Sequence, residues 1–192
     1  MTARFLPSVI LLGVFALSAA DVALGPKGAA ILYDASKAQI AELEAHRAAF
    51  HKLGVEVATQ SRPAPGWIVL DAKRTVVAKY DASYTSAAIL AHQFHWTSPD
   101  AREVQGKQLA ATIGASNATV APGERIALTI DVDLDPGMHV YAPGVEGYIP
   151  IDWKMQETAG AAVLAPMFPR AEKLYLKAID ETVPAYRSHF RL

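Results

Sequence analysis

The chain of 192 residues is 52% hydrophobic, and its 18 basic and 19 acidic side chains give a net charge of −1. This length accommodates one or two domains, and the apolar content is sufficient for packed cores. The balanced charge gives no electrostatic basis for binding nucleic acid or an anionic membrane. Because the chain contains no cysteine, disulfides, thiolate nucleophiles and cysteine-ligated metal sites are excluded.

The first twenty residues have the three regions of a secretory signal. Arg4 precedes an apolar run from Phe5 to Ala20, and the small residues Ser18 and Ala20 suit the −3 and −1 positions of a cleavage site. Since about 20 apolar residues span a bilayer, an uncleaved N-terminal membrane anchor is the alternative. We expect an exported protein, periplasmic or extracellular, that is cleaved near Ala20.

The segment from residue 29 to residue 59 has the pattern strand, helix, strand. An apolar run over 29–33 predicts a buried strand, and Ser36 with Gln39 three positions later predicts a capping box that opens a helix. Gly54 is typical of a left-handed helix cap, and a strand follows over 55–59. Further strands are expected over 67–70 and 76–80, and a second helix from Thr85 to His95.

Two motifs in this half resemble the peroxiredoxin (AhpC/TSA, redoxin) family, in the family's order. KAQIAELEAHRAAFHKLGVEV resembles its first helix and the next strand, and Pro65-Gly66-Trp67-Ile68-Val69-Leu70-Asp71 resembles the strand entered through a proline beside the active site. The resemblance implies an α/β thioredoxin-like unit over 21–96. Ser36 and Pro65 mark the active-site neighbourhood, which here lacks the family's cysteine. A serine there has no adjacent base by spacing, so helix capping is the expected role of Ser36.

The link from residue 60 to residue 66 is too short to contain the helix that crosses the sheet in a complete thioredoxin-like fold. Seven residues reach across two strand spacings of about 4.8 Å each, so the chain can connect the strands. The unit is therefore expected to be incomplete, with one helix missing and one apolar sheet face uncovered. Such a face needs a second domain or a partner chain, and self-association through it is possible.

The second half is predicted to be all β. The residues 97–103 form a polar, proline-bearing linker, and aliphatic residues alternate with Thr129, Asp131 and Asp133 over 128–134, as in a half-buried strand. The run DPGMHVYAP, followed by Pro150-Ile151-Asp152-Trp153, resembles the N-terminal immunoglobulin-like domain of the thiol:disulfide interchange protein DsbD. The resemblance implies an immunoglobulin-like β-sandwich over 104–192, which is incomplete at its C-terminus because such domains have about 100 residues.

Four residues in this half are candidates for a binding surface: His139, Tyr141, Tyr148 and Trp153. They lie on or near turns, where aromatic side chains form recognition surfaces, but they could equally pack over the core. The alternating aspartates at 131, 133 and 135 lack the pattern of a calcium loop and are expected to form a solvated face. The pair His92-x-x-His95 lacks a third ligand, so no metal site is predicted. No cofactor and no small-molecule ligand is implied.

Three hypotheses about function remain. The first is an exported, non-catalytic, cysteine-free member of a thiol-redox family that acts by protein contact, with a periplasmic thiol-redox protein as the expected partner. The second is the thiol-dependent peroxidase or oxidoreductase activity that the resemblance implies, which the lack of cysteine opposes. The third is a degenerate or truncated reading frame, indicated by losses at the cysteine segment, the crossing helix and the C-terminus.

Overall fold

The computed structural model describes residues 22–61, 64–156 and 160–192. The predicted secretory signal lies outside these ranges. The described residues form eleven strands and two helices: β1 (Gly28–Tyr33), α1 (Lys37–Lys52), β2 (Val55–Gln60), β3 (Gly66–Leu70), β4 (Val76–Asp81), α2 (Ser86–Phe94), β5 (Arg102–Gln105), β6 (Leu109–Ala115), β7 (Leu128–Leu134), β8 (His139–Tyr141), β9 (Glu172–Leu176), β10 (Glu181–Arg187) and β11 (His189–Arg191). Neither helix is long and apolar enough to cross a membrane.

The first half is a four-stranded sheet in the order β2-β1-β3-β4, with α1 and α2 packed on one face. The β1–β2 pair is parallel, whereas β3 is antiparallel to both β1 and β4. Because strand side chains alternate between faces, β1 contributes to two cores. Its Ala30 and Leu32 face the helices and pack with a cluster that includes Leu43, Phe50 and Ile89.

Helix α1 begins at the capping box that the sequence predicts. The Ser36 hydroxyl accepts a hydrogen bond from the Gln39 backbone N–H at 3.2 Å, and Gln39 Oε1 accepts one from the Ser36 N–H at 2.9 Å. Beyond the last turn, Gly54 adopts a φ of 77°, in the left-handed region that glycine occupies without strain. Both ends of α1 are thus fixed by local sequence.

The opposite face of this sheet is buried. Ala29 and Ile31 are fully buried and Tyr33 nearly so, and Val22 and Leu24 pack against their cluster. The prediction of an uncovered apolar face is therefore wrong for these residues. Burial of this face removes the apolar contact that was expected to drive self-association there, and self-association itself remains a prediction.

The second half contains two sheets, in the orders β11-β7-β6-β5 and β8-β10-β9. The two sheets share one hydrophobic core, and Trp153 is partly buried against it. The buried residues of this core are Ile130, Val132, Ala142, Tyr186 and Phe190. The alternation predicted over 128–134 places Ile130 and Val132 in this core. On the opposite face of β7, Asp131 accepts a hydrogen bond at 3.2 Å from the hydroxyl of Thr97, which lies in the segment after α2.

The predicted fold class, an α/β thioredoxin-like unit followed by an incomplete immunoglobulin-like sandwich, is wrong. The described chain is mostly β, with three sheets, eleven strands and only two helices, of 16 and 9 residues. The order strand, helix, strand, then hairpin and helix suggested a thioredoxin-like unit with one helix missing. Since β3 and β4 run antiparallel to their neighbours, they need no crossover helices, and a short link suffices.

Candidate functional site

Three of the four predicted binding residues lie together at one edge of the β8-β10-β9 sheet. The ring of Tyr141 on β8 lies 5.0 Å from that of His139 and 4.4 Å from that of Tyr148, measured between centroids. Strand β8 holds the first two, and the Tyr141 carbonyl accepts a hydrogen bond from the Ile151 N–H at 2.8 Å, which fixes the loop that carries Tyr148. The structure thus brings His139, Tyr141 and Tyr148 into one aromatic group.

The side chain beside this group is unusually exposed. Ile149 is 91% exposed, the highest value among the exposed large hydrophobic residues of the described chain. The neighbouring Tyr148 hydroxyl donates a hydrogen bond to Glu181, and this bond raises the pKa of Tyr148 to about 12. The same hydrogen bond orients the Tyr148 ring. We call His139, Tyr141, Tyr148 and Ile149 the aromatic edge.

The fourth predicted residue, Trp153, does not belong to the aromatic edge. It is half-buried and packs against the core that contains Ile130 and Phe190. Of the two residues that mark the peroxiredoxin-like neighbourhood, Ser36 is occupied in the capping box and Pro65 is an exposed residue just before β3. Among the described residues, no histidine or carboxylate hydrogen-bonds to Ser36, and Pro65 has no side-chain group to activate.

Sequence analysis missed a partly buried polar cluster formed by Glu42, His46 and Ser86. Glu42 on α1 accepts hydrogen bonds from the backbone N–H groups of Ser86 at 2.8 Å and Ala87 at 3.4 Å, which are free donors at the N-terminus of α2. His46 Nδ1 lies 3.2 Å from Glu42 Oε1 and 3.1 Å from Ser86 Oγ. Asn117 Nδ2 approaches the same carboxylate at 3.3 Å.

The composition of this cluster, a serine, a histidine and a carboxylate, is that of a catalytic triad, but its geometry is different. In a triad the serine and the acid contact opposite nitrogens of the imidazole, whereas here both lie against Nδ1. Ser86 is also 0% exposed, so no substrate reaches its hydroxyl. The cluster joins α1 to α2 and to the loop of Asn117.

Electrostatics support that structural role. Burial alone would raise the pKa of Glu42, but hydrogen bonds from His46 and Ser86 outweigh it and lower this pKa to about 2. The hydrogen bond to Glu42 raises the pKa of His46, against the opposing effect of burial. The two pKa shifts thus favour the ionised carboxylate of Glu42 and the protonated imidazole of His46.

A more deeply buried ion pair joins the two halves. Arg191 on β11 donates to both carboxylate oxygens of Asp131, from Nε and from Nη2, at 2.6 Å each. Its Nη1 also donates to the carbonyl oxygens of Trp96 at 3.1 Å and Ala91 at 3.4 Å, near the end of α2. Burial alone would raise the pKa of Asp131, but Arg191 and Thr97 hold this pKa below its usual value. The expectation that Asp131 belongs to a solvated face is therefore wrong.

An open groove of about 580 Å³ lies over this pair, and His95, Asp133 and His189 are among its lining residues. His189 Nδ1 lies 2.9 Å from Asp133 Oδ1. The guanidinium of Arg191 is already engaged by Asp131 and by backbone carbonyls, so it has little capacity left for an anionic ligand. Within residues 22–61, 64–156 and 160–192, no group of three or more His, Cys, Asp or Glu side chains could hold a metal ion.

A third polar group surrounds His92 on α2. Its Nδ1 lies 2.6 Å from the Tyr80 hydroxyl, and its Nε2 lies 3.3 Å from the sulfur of Met167. Burial, with a contribution from His95, lowers the pKa of His92. Burial also raises the pKa of Tyr80 to about 12. Burial thus favours the neutral form of both groups.

Comparison of the chain with protein-family models, with curated proteins and with solved structures finds no match. The two family resemblances noted in the sequence therefore rest on their motifs alone.

Proposed function

We propose that this chain is an exported, cysteine-free member of a thiol-redox family that acts by protein contact rather than by catalysis, and that the aromatic edge is its contact surface. The partner is a periplasmic thiol-redox protein, as the motif resemblances imply. The observation that carries the proposal is the 91% exposure of Ile149 beside a fixed aromatic group.

The aromatic edge has the properties of a binding hot spot. Burying a fully exposed isoleucine stabilises a complex by about 1.5–3 kcal/mol. Tyr141 and Tyr148 are already held in place, by ring contacts and, for Tyr148, by its bond to Glu181. Their side chains therefore lose little further conformational entropy on binding, which is why tyrosine is enriched in energetically dominant interface positions.

The catalytic alternative lacks a suitable nucleophile. The chain has no cysteine. The two serines considered as nucleophiles, Ser36 and Ser86, are both unavailable. Ser36 caps α1, and Ser86 is fully buried beside His46. Turnover of hydrogen peroxide with a dithiol donor at a rate above that of a heat-denatured sample would support the peroxiredoxin alternative and overturn this proposal.

The contact role predicts that Ile149→Ser weakens binding to a periplasmic thioredoxin-fold oxidoreductase about tenfold or more, because it removes the exposed apolar anchor. Isothermal titration of the mature chain with that partner measures the effect. Val120→Ser is the matched control, since Val120 is also exposed but is not part of the aromatic edge. Equal affinities for the wild type and Ile149→Ser, or equal losses in the two variants, would contradict the proposed surface.

A further inference from the structure

Two side chains with metal-ligand chemistry meet between the halves of the molecule. The Nε2 atom of His92, on α2, lies 3.3 Å from the Sδ atom of Met167, which is 75 positions later in the chain. Met167 is 62% exposed. The contact is therefore open to solvent and to ions.

The neighbours of His92 determine which ring nitrogen carries the proton. The Tyr80 hydroxyl lies 3.0 Å from Gln93 Oε1, to which it donates, and 2.6 Å from His92 Nδ1. Because a hydroxyl has one proton to donate, the Tyr80 oxygen accepts from His92 Nδ1–H in this arrangement. His92 Nε2 then has a free lone pair directed at the thioether sulfur, which is itself an electron-pair donor.

Two electron-pair donors at this distance are best satisfied by a cation that binds both. We propose that His92 and Met167 form a binding site for a soft monovalent metal ion, Cu(I), which Ag(I) can replace as a probe. Thioether sulfur favours soft ions, and imidazole is a good copper ligand. Soft d¹⁰ monovalent ions also accept low coordination numbers, so a two-residue site completed by solvent is sufficient.

The distance suits such an ion. With metal–nitrogen and metal–sulfur bonds of about 2.0 Å and about 2.3 Å, as for zinc, a 3.3 Å separation of the two ligand atoms corresponds to an angle of roughly 100° at the metal. That angle is near the tetrahedral value, so solvent molecules would supply the remaining ligands of the ion. The hydrogen bond from Nδ1 to Tyr80 supplies the orienting contact that metal-bound histidines usually have.

Titration of the mature chain with Ag(I) in chloride-free buffer, followed by calorimetry, tests the site. The wild type is expected to bind one ion per chain at this site. Met167→Leu is expected to weaken binding at least tenfold, and His92→Gln to abolish it. Tyr80→Phe removes the group that fixes the ring and is expected to weaken binding about 10–100-fold. The matched controls Met155→Leu and His51→Gln are expected to bind as the wild type does.

Two outcomes would overturn the proposal. One is that the wild type does not bind Ag(I), in which case the contact is an ordinary N–H···S hydrogen bond. The other is that Met167→Leu binds as tightly as the wild type, in which case the sulfur is not a ligand. Because Met167 is exposed, Met167→Leu is expected to leave the thermal unfolding transition unchanged, so a loss of binding is not explained by unfolding.

Discussion

Replacing Arg191 with methionine is expected to lower the free energy of unfolding by about 3–5 kcal/mol, the usual effect of removing one partner from a buried ion pair. The side chains of Arg191 and Asp131 are only 13% and 11% exposed. The substitution leaves the Asp131 carboxylate buried without its main partner. It also removes the donor to the carbonyl oxygens of Trp96 and Ala91. Urea denaturation followed by circular dichroism measures the change.

Arg187→Met is the matched control for this prediction. Arg187 makes the same kind of contact with Glu172, at 2.6 Å, but that pair is about half exposed, so its loss is expected to change stability by less than about 1 kcal/mol. The double variant Asp131→Val/Arg191→Met is expected to recover most of the lost stability, because it leaves no unpaired buried charge. Equal losses from Arg191→Met and Arg187→Met would contradict the role assigned to Arg191.

Replacing Glu42 with alanine is expected to lower the free energy of unfolding by about 2–3 kcal/mol, because it leaves polar groups in the interior without a partner. The carboxylate satisfies the first backbone donors of α2, at Ser86 and Ala87, and pairs with His46. Glu44→Ala on the same helix is the control. Glu44 is exposed and pairs with Arg47 only at the surface, so a much smaller loss than that of Glu42→Ala is expected. Thermal or urea unfolding distinguishes the two.

The same cluster makes stability depend on pH in a direction that can be tested. The pKa of Glu42 is about 2 in the folded chain and 4.5 ordinarily, so its contribution is complete above pH 4.5 and is lost as the pH falls towards 2. His46 behaves oppositely, because its pKa is raised from 6.5: its contribution is complete below pH 6.5 and is lost as the pH rises through the folded value.

The Glu42–His46 pair therefore stabilises the fold most between about pH 4.5 and pH 6.5. Acidification is expected to lower the free energy of unfolding by about 2 kcal/mol. This figure allows for solvent screening, because the Glu42 side chain is one-quarter exposed. Unfolding measured across pH 2–8 for the wild type and Glu42→Gln tests this. The acid-side slope is expected to be smaller in the variant. Parallel pH profiles would mean that Glu42 is not the group responsible.

Local signals in the sequence predicted several elements correctly. The capping box at Ser36, the left-handed Gly54 and the second helix between Thr85 and His95 are all confirmed. Each depends on interactions within a few residues, which is why sequence alone can identify it. Strand β7 was also predicted, since its alternation is set by one buried face.

Strand β10 was missed because Pro184 lies within it. A proline normally argues against a central strand, since it cannot donate a ladder hydrogen bond. Here β10 lies between β8 and β9, and the Pro184 carbonyl still accepts a bond from Ala142. Strand β5 begins within the segment that was predicted to be a linker. All its residues are exposed, so no buried face produces the alternation of apolar and polar residues that identifies a strand.

The polar clusters could not be predicted, because their members are distant in sequence. Asp131 and Arg191 are 60 positions apart, and Glu42 and Ser86 are 44 apart. Alternation along β7 placed Asp131 on the polar face, but it did not show that Thr97 and Arg191 bind Asp131 there. The aromatic edge was predicted in part: three of its residues were named, whereas Ile149, which occupies an exposed loop position, was not.

The most direct test of the contact role is site-specific photocrosslinking from position 149 in intact cells. A benzophenone amino acid that replaces Ile149 is expected to give one discrete crosslinked product, identified by mass spectrometry as a thiol-redox protein. The same amino acid at Val120 is expected to give none. If position 149 gives no product, or the same products as position 120, the aromatic edge is not a partner-binding surface and the proposed function is contradicted.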